Sequence, residues 1–225
     1  MPSTSSTLLK RPTHPSISMG LDFRFGMIMG LCGMLMSSAH AVWASEPTHY
    51  AAVIDAGSSG SRLYLYRVIE ARASYPIVQD VMSYEPRELP GLSSFKGQPE
   101  RAVREGVQPL LNALDAFLDR HHIASHAVHL SLIATGGMRS MASAERALIL
   151  DAVKKTLQIR AYHVERVEVI SGQMEGFYAW IDINALAKRL NQTHLQSFGI
   201  VEIGGSSAQI AFEVSHDGPG VVEFF

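Results

Sequence analysis

The sequence predicts an α/β protein that contains one complete lobe and the first strands of a second, incomplete lobe. After the first 44 residues, strand and helix patterns follow in the order βββαβαβα and then ββ(β). Two turns rich in glycine and serine stand far apart, at residues 57–60 and 204–207, and each lies between two apolar strands. This recurrence indicates that the second lobe begins as a structural copy of the first. Hydrophobic residues fill 47% of the 225 positions, enough for a buried core.

Hydrophobic periodicity predicts each element of the first lobe. Alternating apolar and β-branched residues predict strands at 50–55, 63–69 and 77–84. Apolar residues spaced by three and four predict an amphipathic helix over 99–120. The remaining elements are a strand at 128–134, a helix from Ser143 to about residue 157, a strand at 167–170 and a helix at 172–190. This order is that of a ribonuclease-H-like lobe, which we assign to residues 45–184 together with the helix that crosses to the second lobe.

The second lobe is predicted to begin at residue 185 and to occupy 185–225. It contains a hairpin around the second turn and one further strand at 221–225. A parallel sheet needs helices on both faces, and the first lobe has them. Three strands without helices of their own leave one sheet face and an edge exposed.

Residues 1–44 have the pattern of an export signal. Lys10, Arg11 and Arg24 precede an uncharged apolar run at 25–36, and small residues follow it. The run is shorter than the roughly 20 residues that span a bilayer, so a cleaved signal is favoured over a retained membrane anchor. We therefore expect a periplasmic or secreted protein. The net charge of −2 provides no basic field for nucleic acid.

The two glycine- and serine-rich turns predict a phosphate site. Glycine permits positive φ and a close approach of the backbone, so successive N–H groups can converge on an anion. A carboxylate precedes each turn, Asp55 before the first and Glu202 before the second. These carboxylates would repel bare phosphate, which predicts a divalent cation, Mg²⁺ or Ca²⁺, between them. Two such turns facing each other would hold a polyphosphate chain from both sides.

Four sequence blocks carry a resemblance to a known family. They are DAGSSGSR (55–62), ATGGMR (134–139), SGQMEGFYAWIDIN (171–184) and EIGGSSAQI (202–210), and PGLSSF (90–95) fits the same pattern. In this order they resemble the first four apyrase conserved regions of the nucleoside triphosphate diphosphohydrolases. That family is grouped with actin, sugar kinases and heat-shock ATPases, whose two lobes clamp a nucleotide. The resemblance implies hydrolysis of the terminal phosphates of nucleoside tri- and diphosphates.

The resemblance also implies a role for individual residues. Glu175 corresponds to the catalytic base. Thr135, Ser207 and Gln209 would orient the attacking water, while Asp55 and Glu202 would hold the metal ion through water. The phosphates would be bound by Ser58, Ser59, Gly60, Gly204, Gly205, Ser206 and Ser207.

This sequence departs from the family pattern at three positions and at its end. Glu202 stands where the family usually has aspartate, Ser61 where it has threonine, and Gly136 where it has alanine. The fifth conserved region and the rest of the second lobe are not in the sequence. We therefore expect a member that is truncated at its carboxyl end, and the sequence leaves open whether a chain of this length is active.

Two alternatives to the apyrase interpretation remain. An exopolyphosphatase or guanosine pentaphosphate phosphatase of the same superfamily also fits residues 171–175, although the 177–180 continuation and the export signal favour the apyrase. An inactive nucleotide-binding remnant is the second alternative.

Other conspicuous residues are assigned structural roles: Tyr178 and Trp180 to packing, and Arg139 to a carbonyl or acidic partner. The histidines His121, His122, His126 and His129 are assigned to a solvated surface.

Overall fold

The computed structural model of the protein describes residues 48–69, 76–87, 89–190, 196–214 and 218–224. The predicted export signal at 1–44 lies outside these residues. Within the described ranges, no helix has both the length and the apolar character needed to cross a membrane.

A five-stranded mixed sheet forms the centre of the first lobe. Its strands are β1 (Thr48–Ala56), β2 (Ser61–Ile69), β3 (Ile77–Tyr84), β4 (Val128–Ala134) and β5 (His163–Val169). They lie in the order β3-β2-β1-β4-β5, with β1, β2 and β3 antiparallel and β1, β4 and β5 parallel. The turn at residues 57–60 connects β1 to β2, whereas the parallel strands need helical crossovers. The predicted α/β fold is confirmed.

Four helices complete the first lobe and lead out of it. Helix α1 (Gln108–Arg120) continues directly from Pro99–Arg101 and from a π-helical stretch, Ala102–Val107. Proline has no N–H for the usual helical hydrogen bond, so Pro109 accounts for the irregular turn before it. The other helices are α2 (Gly136–Arg139), α3 (Ser143–Gln158) and α4 (Gly172–Leu186).

Two element boundaries differ from the predicted ones by four residues, the largest differences among the described elements. Helix α4 ends at Leu186 and not at residue 190, because Lys188 takes a left-handed φ of 54° that a helix cannot continue. Strand β5 begins at His163 and not at 167, since charged residues such as Glu165 interrupt the apolar pattern at its partly exposed start.

The alternation of side chains along β1 separates the core from the site. Ala52 and Ile54 point to one face of the sheet, where they pack with Leu114 of α1 and Val153 of α3. Val53 points to the opposite face and packs beneath α4. Asp55 shares the face of Val53 and lies at the carboxyl end of the strand, the usual place for a ligand site in α/β sheets.

A three-stranded antiparallel sheet lies on the other side of α4. Its strands are β6 (Ile200–Ile203), β7 (Ala208–Val214) and β8 (Gly218–Phe224), in that order. Its inner face packs on α4, with Ala211 fully buried. On its outer face Val201 is 68% exposed and Ile203 is 79% exposed. Helix α4 therefore lies between the two sheets.

The buried Asn184 ties the second sheet to α4. Its Nδ2 donates to the Trp180 carbonyl at 2.9 Å and to the Phe198 carbonyl at 3.0 Å. Its Oδ1 accepts from the Phe198 N–H at 2.7 Å. Because Phe198 stands just before β6, these bonds fix where the second glycine- and serine-rich turn enters the structure.

Candidate active site

The two turns face each other across a cleft. A Cβ placed on Gly205 of the second turn would lie 2.7 Å from Ser58 Oγ and 3.7 Å from Ser59 Cβ of the first. The turns enclose a cavity of about 320 Å³ between the sheets. Its polar lining includes Asp55, Ser58, Ser59, Arg62, Thr135, Glu175, Glu202, Ser206 and Ser207. The structure thus brings together most residues that the sequence selected.

One of the two predicted reasons for glycine in the turns is contradicted. Among the described glycines only Gly97 has a positive φ, so the expectation of left-handed backbone in the turns is wrong. The absence of a side chain does permit close approach at Gly205, where the neighbouring group is Ser58 of the opposite turn. Gly60 does not line the cavity, because its missing Cβ would meet the Leu89 carbonyl at 2.9 Å on the side of the neighbouring loop.

Helix α2 is packed against both turns. A Cβ on Gly136 would lie 2.5 Å from Ser206 Oγ and 2.8 Å from Ser207 Oγ. A Cβ on Gly137 would lie 2.9 Å from the Cα of Ser58 in the first turn. The helix begins where β4 ends, so the carboxyl end of a central strand places it at the cleft.

Three carboxylates converge on the cavity from three elements. Asp55 ends β1, Glu175 lies in the first turn of α4, and Glu202 lies on β6. The Ser171 side chain caps α4 by accepting from the Met174 N–H at 3.2 Å. This cap starts the helix so that Glu175 faces the turns.

Burial and mutual repulsion perturb two of these acids. Burial, assisted by the charges of Glu175 and Asp55, raises the pKa of Glu202 to about 8. Burial also raises the pKa of Asp55 to about 6, with the positive charge of Arg62 opposing the shift and Glu175 adding to it. Glu202 is 4% exposed, and its Oε2 has no hydrogen-bond partner among the described residues. The cleft therefore concentrates negative charge that its own side chains compensate only in part.

Two arginines supply the positive charge of the cleft. Arg62 Nη1 lies 3.5 Å from Asp55 Oδ2, its direct partner in the β1–β2 register. Arg139 Nη1 donates to Glu175 Oε2 at 2.6 Å and to the Ile170 carbonyl at 3.2 Å. The predicted carbonyl or acidic partner of Arg139 is thus confirmed, and it is both. Arg62 was not predicted to be a site residue. Its position opposite Asp55 in the antiparallel hairpin is the signal that could have identified it.

Gln209 is next to the cavity through its strand partner Glu202 and is not one of the lining residues. It is directly opposite Glu202 in the β6–β7 register, so both side chains occupy the inner face of the hairpin. Gln209 is 0% exposed, and neither of its amide atoms has a partner within the described structure. Buried polar atoms are normally satisfied, so an unmet hydrogen-bonding capacity exists here.

The donor set suits a hard cation that is held through water. No group of three or more His, Cys, Asp or Glu side chains in the described part of the chain is arranged to bind a metal directly. Asp55 and Glu202 nevertheless present oxygen donors with raised pKa values, and one oxygen of Glu202 has no partner. A divalent cation with its own water shell would relieve this repulsion.

The remaining conspicuous side chains lie away from the cavity. Tyr178 is 1% exposed and Trp180 is 8% exposed, so both are packing residues, as predicted. His121, His122 and His126 are exposed, as predicted. The fourth histidine, His129, is only partly exposed and lies in a cluster at the other end of the sheet: its Nδ1 is 2.6 Å from Glu165 Oε1, and its ring neighbours those of His49 and His163.

Comparison with known proteins shows the family. A family model described as the GDA1/CD39 (nucleoside phosphatase) family matches residues 41–222. The chain belongs to the GDA1/CD39 family. It is 32% identical over 180 residues to a nucleoside-triphosphatase of Caenorhabditis elegans, covering 75% of this chain and 32% of that protein. It is 30% identical over 175 residues to an apyrase of Solanum tuberosum, covering 76% and 38%. The chain thus spans about a third of the length of these GDA1/CD39 relatives.

Solved structures are similar in fold. A Ppx/GppA family protein of Aquifex aeolicus aligns with a TM-score of 0.51 at 19% identity, covering 79% of this chain and 51% of that one. Nucleoside triphosphate hydrolases of Neospora caninum align with a TM-score of 0.50 at 16% identity, covering 83% and 42%. At these identities the likeness concerns the fold alone.

Proposed function

We propose that this chain binds the phosphate chain of nucleoside tri- and diphosphates and hydrolyses the terminal phosphoanhydride bond. The observation that carries the proposal is the pair of opposed turns, which enclose a cavity that Glu175 also lines. The names of the relatives, a nucleoside-triphosphatase and an apyrase, support this substrate class. Since the alignment covers only 32% and 38% of those relatives, activity of the present chain is part of the proposal.

The turns would bind the phosphates. Ser58 and Ser59 on one side and Ser206 and Ser207 on the other offer hydroxyl groups to phosphate oxygens. The backbone N–H group of Gly205 would add a further donor. Gly204 would contribute through the shape of the turn, because its own N–H donates to the Ser207 carbonyl at 2.8 Å. Donors that are fixed before the substrate arrives stabilise developing charge without the cost of reorganisation.

Asp55 and Glu202 would hold Mg²⁺ or Ca²⁺ through water. When bound, the ion would neutralise charge on the phosphate oxygens. The negative charge of the carboxylates would otherwise oppose binding of an anionic substrate.

Glu175 would act as the general base. It accepts a proton from a water molecule whose oxygen forms the new bond to the terminal phosphorus. The bond from that phosphorus to the bridging oxygen breaks, and its electron pair leaves with the shortened nucleotide. Thr135, Ser207 and Gln209 would orient the water, with Gln209 acting from a position next to the cavity. Proton acceptance by a placed side chain typically contributes about 10²–10⁴-fold to the rate.

The predictions of export, of lobe boundaries and of partners are also part of this proposal. Residues 1–44 would direct export to the periplasm or the exterior, with membrane attachment only through an uncleaved segment. Residues 45–184 would form the first lobe, and 185–225 would begin the second. Nucleic acid is not an expected partner of a chain with net charge −2.

The test is phosphate release from ATP, ADP and inorganic polyphosphate, with Mg²⁺, with Ca²⁺ and with chelator. We expect cation-dependent release from both nucleotides, and a loss of about 10²–10⁴-fold in Glu175→Gln. Glu145→Gln is the matched control, because Glu145 also lies in the first turn of a helix, α3, far from the cavity. Release from polyphosphate alone would favour the exopolyphosphatase alternative, and folded but inactive protein would favour the inactive remnant.

A further inference from the structure

Arg139 holds the proposed base, and both side chains are partly buried. Its Nη1 donates to Glu175 Oε2 at 2.6 Å, and the two side chains are 13% and 11% exposed. The same Nη1 donates to the Ile170 carbonyl at 3.2 Å. A charge-assisted bond of this length between shielded partners fixes the orientation of the carboxylate as well as its charge.

Two further acidic groups surround the contact between Arg139 and Glu175. Asp55 from β1 and Glu202 from β6 both interact electrostatically with Glu175. Arg139 from α2 is in direct contact with Glu175, whereas Arg62 from β2 contacts Asp55. Without Arg139, the partly buried carboxylate of Glu175 would lie beside two others with less compensating positive charge, which favours protonation of the group that must accept a proton.

The position of Arg139 also links the base to the phosphate turns. It is the last residue of α2, a helix of four residues. The first two residues of that helix, Gly136 and Gly137, lie against Ser206 and Ser58 respectively. Ser140 Oγ donates to the Gly137 carbonyl at 2.8 Å and tightens the same segment. One short rigid element therefore touches both turns and holds the base.

We propose that Arg139 is a positioning residue that orients Glu175 toward the terminal phosphorus and keeps it ionised. Because Arg139 lies on α2, which packs against both turns, it fixes the position of Glu175 relative to those turns. This inference rests on the proposed function. It assigns Arg139 no contact with substrate, which separates it from an arginine that binds phosphate directly.

The experiment compares the full chain with Arg139→Lys and Arg139→Met by steady-state kinetics on ATP with Mg²⁺. Misplacement of a reacting group by about 1 Å costs on the order of 100-fold, so we expect kcat of Arg139→Met to fall about 100-fold with little change in KM. Arg139→Lys should restore part of this loss. The acid limb of the kcat profile should move to higher pH in Arg139→Met. In a Glu175→Gln background, Arg139→Met should cause little further loss of kcat.

A matched control separates positioning from general stability. Arg160 forms an ion pair with Asp115 and is 21% exposed, away from the cavity. Arg160→Met should leave kcat and its pH profile unchanged. Three results would overturn the inference: an unchanged kcat in Arg139→Met, a raised KM with unchanged kcat, or a full further loss in the Glu175→Gln background. Absence of hydrolysis by the unmodified chain would instead contradict the proposed function, and this inference with it.

Discussion

The two sheets of the molecule bury opposite kinds of side chain. In the first sheet, Ile54 is fully buried in an apolar core, and Asp55 follows it at the edge of the cavity. In the second sheet the order is reversed, because Glu202 is 4% exposed while the adjacent Ile203 is 79% exposed. In the first sheet, the residue that stabilises the core is therefore distinct from the residue that lines the cavity. In the second sheet, the candidate active-site residue Glu202 lies on the packed face itself. Burial of these polar side chains is unfavourable, as shown by the raised pKa of Glu202 and by the amide of Gln209, which has no hydrogen-bond partner within the described structure.

The strongest test of this contrast is a matched pair of truncations. Ile54→Ala removes a fully buried side chain and should cost about 2–5 kcal/mol in the free energy of unfolding. Ile203→Ala, the equivalent change beside the second carboxylate, should cost no more than about 0.5 kcal/mol. Chemical denaturation of both variants measures the difference. Equal losses would show that the outer face of the second sheet is covered in solution.

The next effect concerns the buried acid of the second sheet. A folded-state pKa of about 8 means that the native protein binds a proton more tightly than the unfolded chain does. The resulting stabilisation is present below about pH 4.5 and is lost as pH rises through about 8. At about 1.4 kcal/mol per pKa unit, this loss has an upper bound of about 5 kcal/mol.

Glu202→Gln should therefore stabilise the metal-free protein at pH 8 and make its melting temperature less dependent on pH, while reducing cation-dependent hydrolysis. Melting curves between pH 5 and 8.5 in chelator provide the measurement. Glu213→Gln, an exposed position on the same hairpin, is the control. A lower melting temperature for Glu202→Gln at pH 8 would contradict the assigned burial cost.

A smaller effect is expected at the far end of the first sheet. Burial, with the nearby His129, lowers the pKa of His49 to about 4. Because protonation then favours the unfolded chain, stability is complete above about pH 6.5 and is lost as pH falls toward 4. As the pH falls, His49→Gln should lose less of its free energy of unfolding than the unmodified protein does, by about 1–2 kcal/mol at pH 4.5. An unchanged acid transition would show that other groups control it.

The smallest expected effect on stability lies on the outer face of the second sheet. Val201 and Ile203 are 68% and 79% exposed, and Phe212 and Val214 extend the same apolar face. Replacing Val201 and Ile203 by threonine keeps β propensity and should change unfolding by less than about 1 kcal/mol. Light scattering should show less self-association in the double variant, since exposed apolar patches promote it. A large loss of stability would contradict the exposure of these residues.

The sequence predicted the elements well because most of them have strong periodicity, as for the strand at 77–84, which matches β3. The end of α4 was missed because a left-handed residue, Lys188, leaves no reliable mark in sequence. The requirement for a residue without a side chain at 136 and 205 was not predicted. It arises from contact between the lobes, which local sequence does not encode.

The candidate site shows the same limit. Asp55, Glu175 and Glu202 were selected because each belongs to a recognisable block of sequence, and the structure brings them together. The burial of Glu202 could not be predicted, since the sequence on either side of it is apolar and the carboxylate occupies the inner face. The pairing of Arg62 with Asp55 follows from strand register, which the sequence suggests only after the turn length is known.

The most direct test of the account is calorimetric titration of the Glu175→Gln variant with ATP, in Mg²⁺ and in chelator, since turnover does not complicate binding in this variant. The account predicts binding in Mg²⁺, its loss in chelator, and weaker binding when either Ser58 or Ser206 is replaced by alanine. Binding that is equally strong in chelator, or that is insensitive to both serine substitutions, would contradict a phosphate chain held between the two turns with the help of a cation.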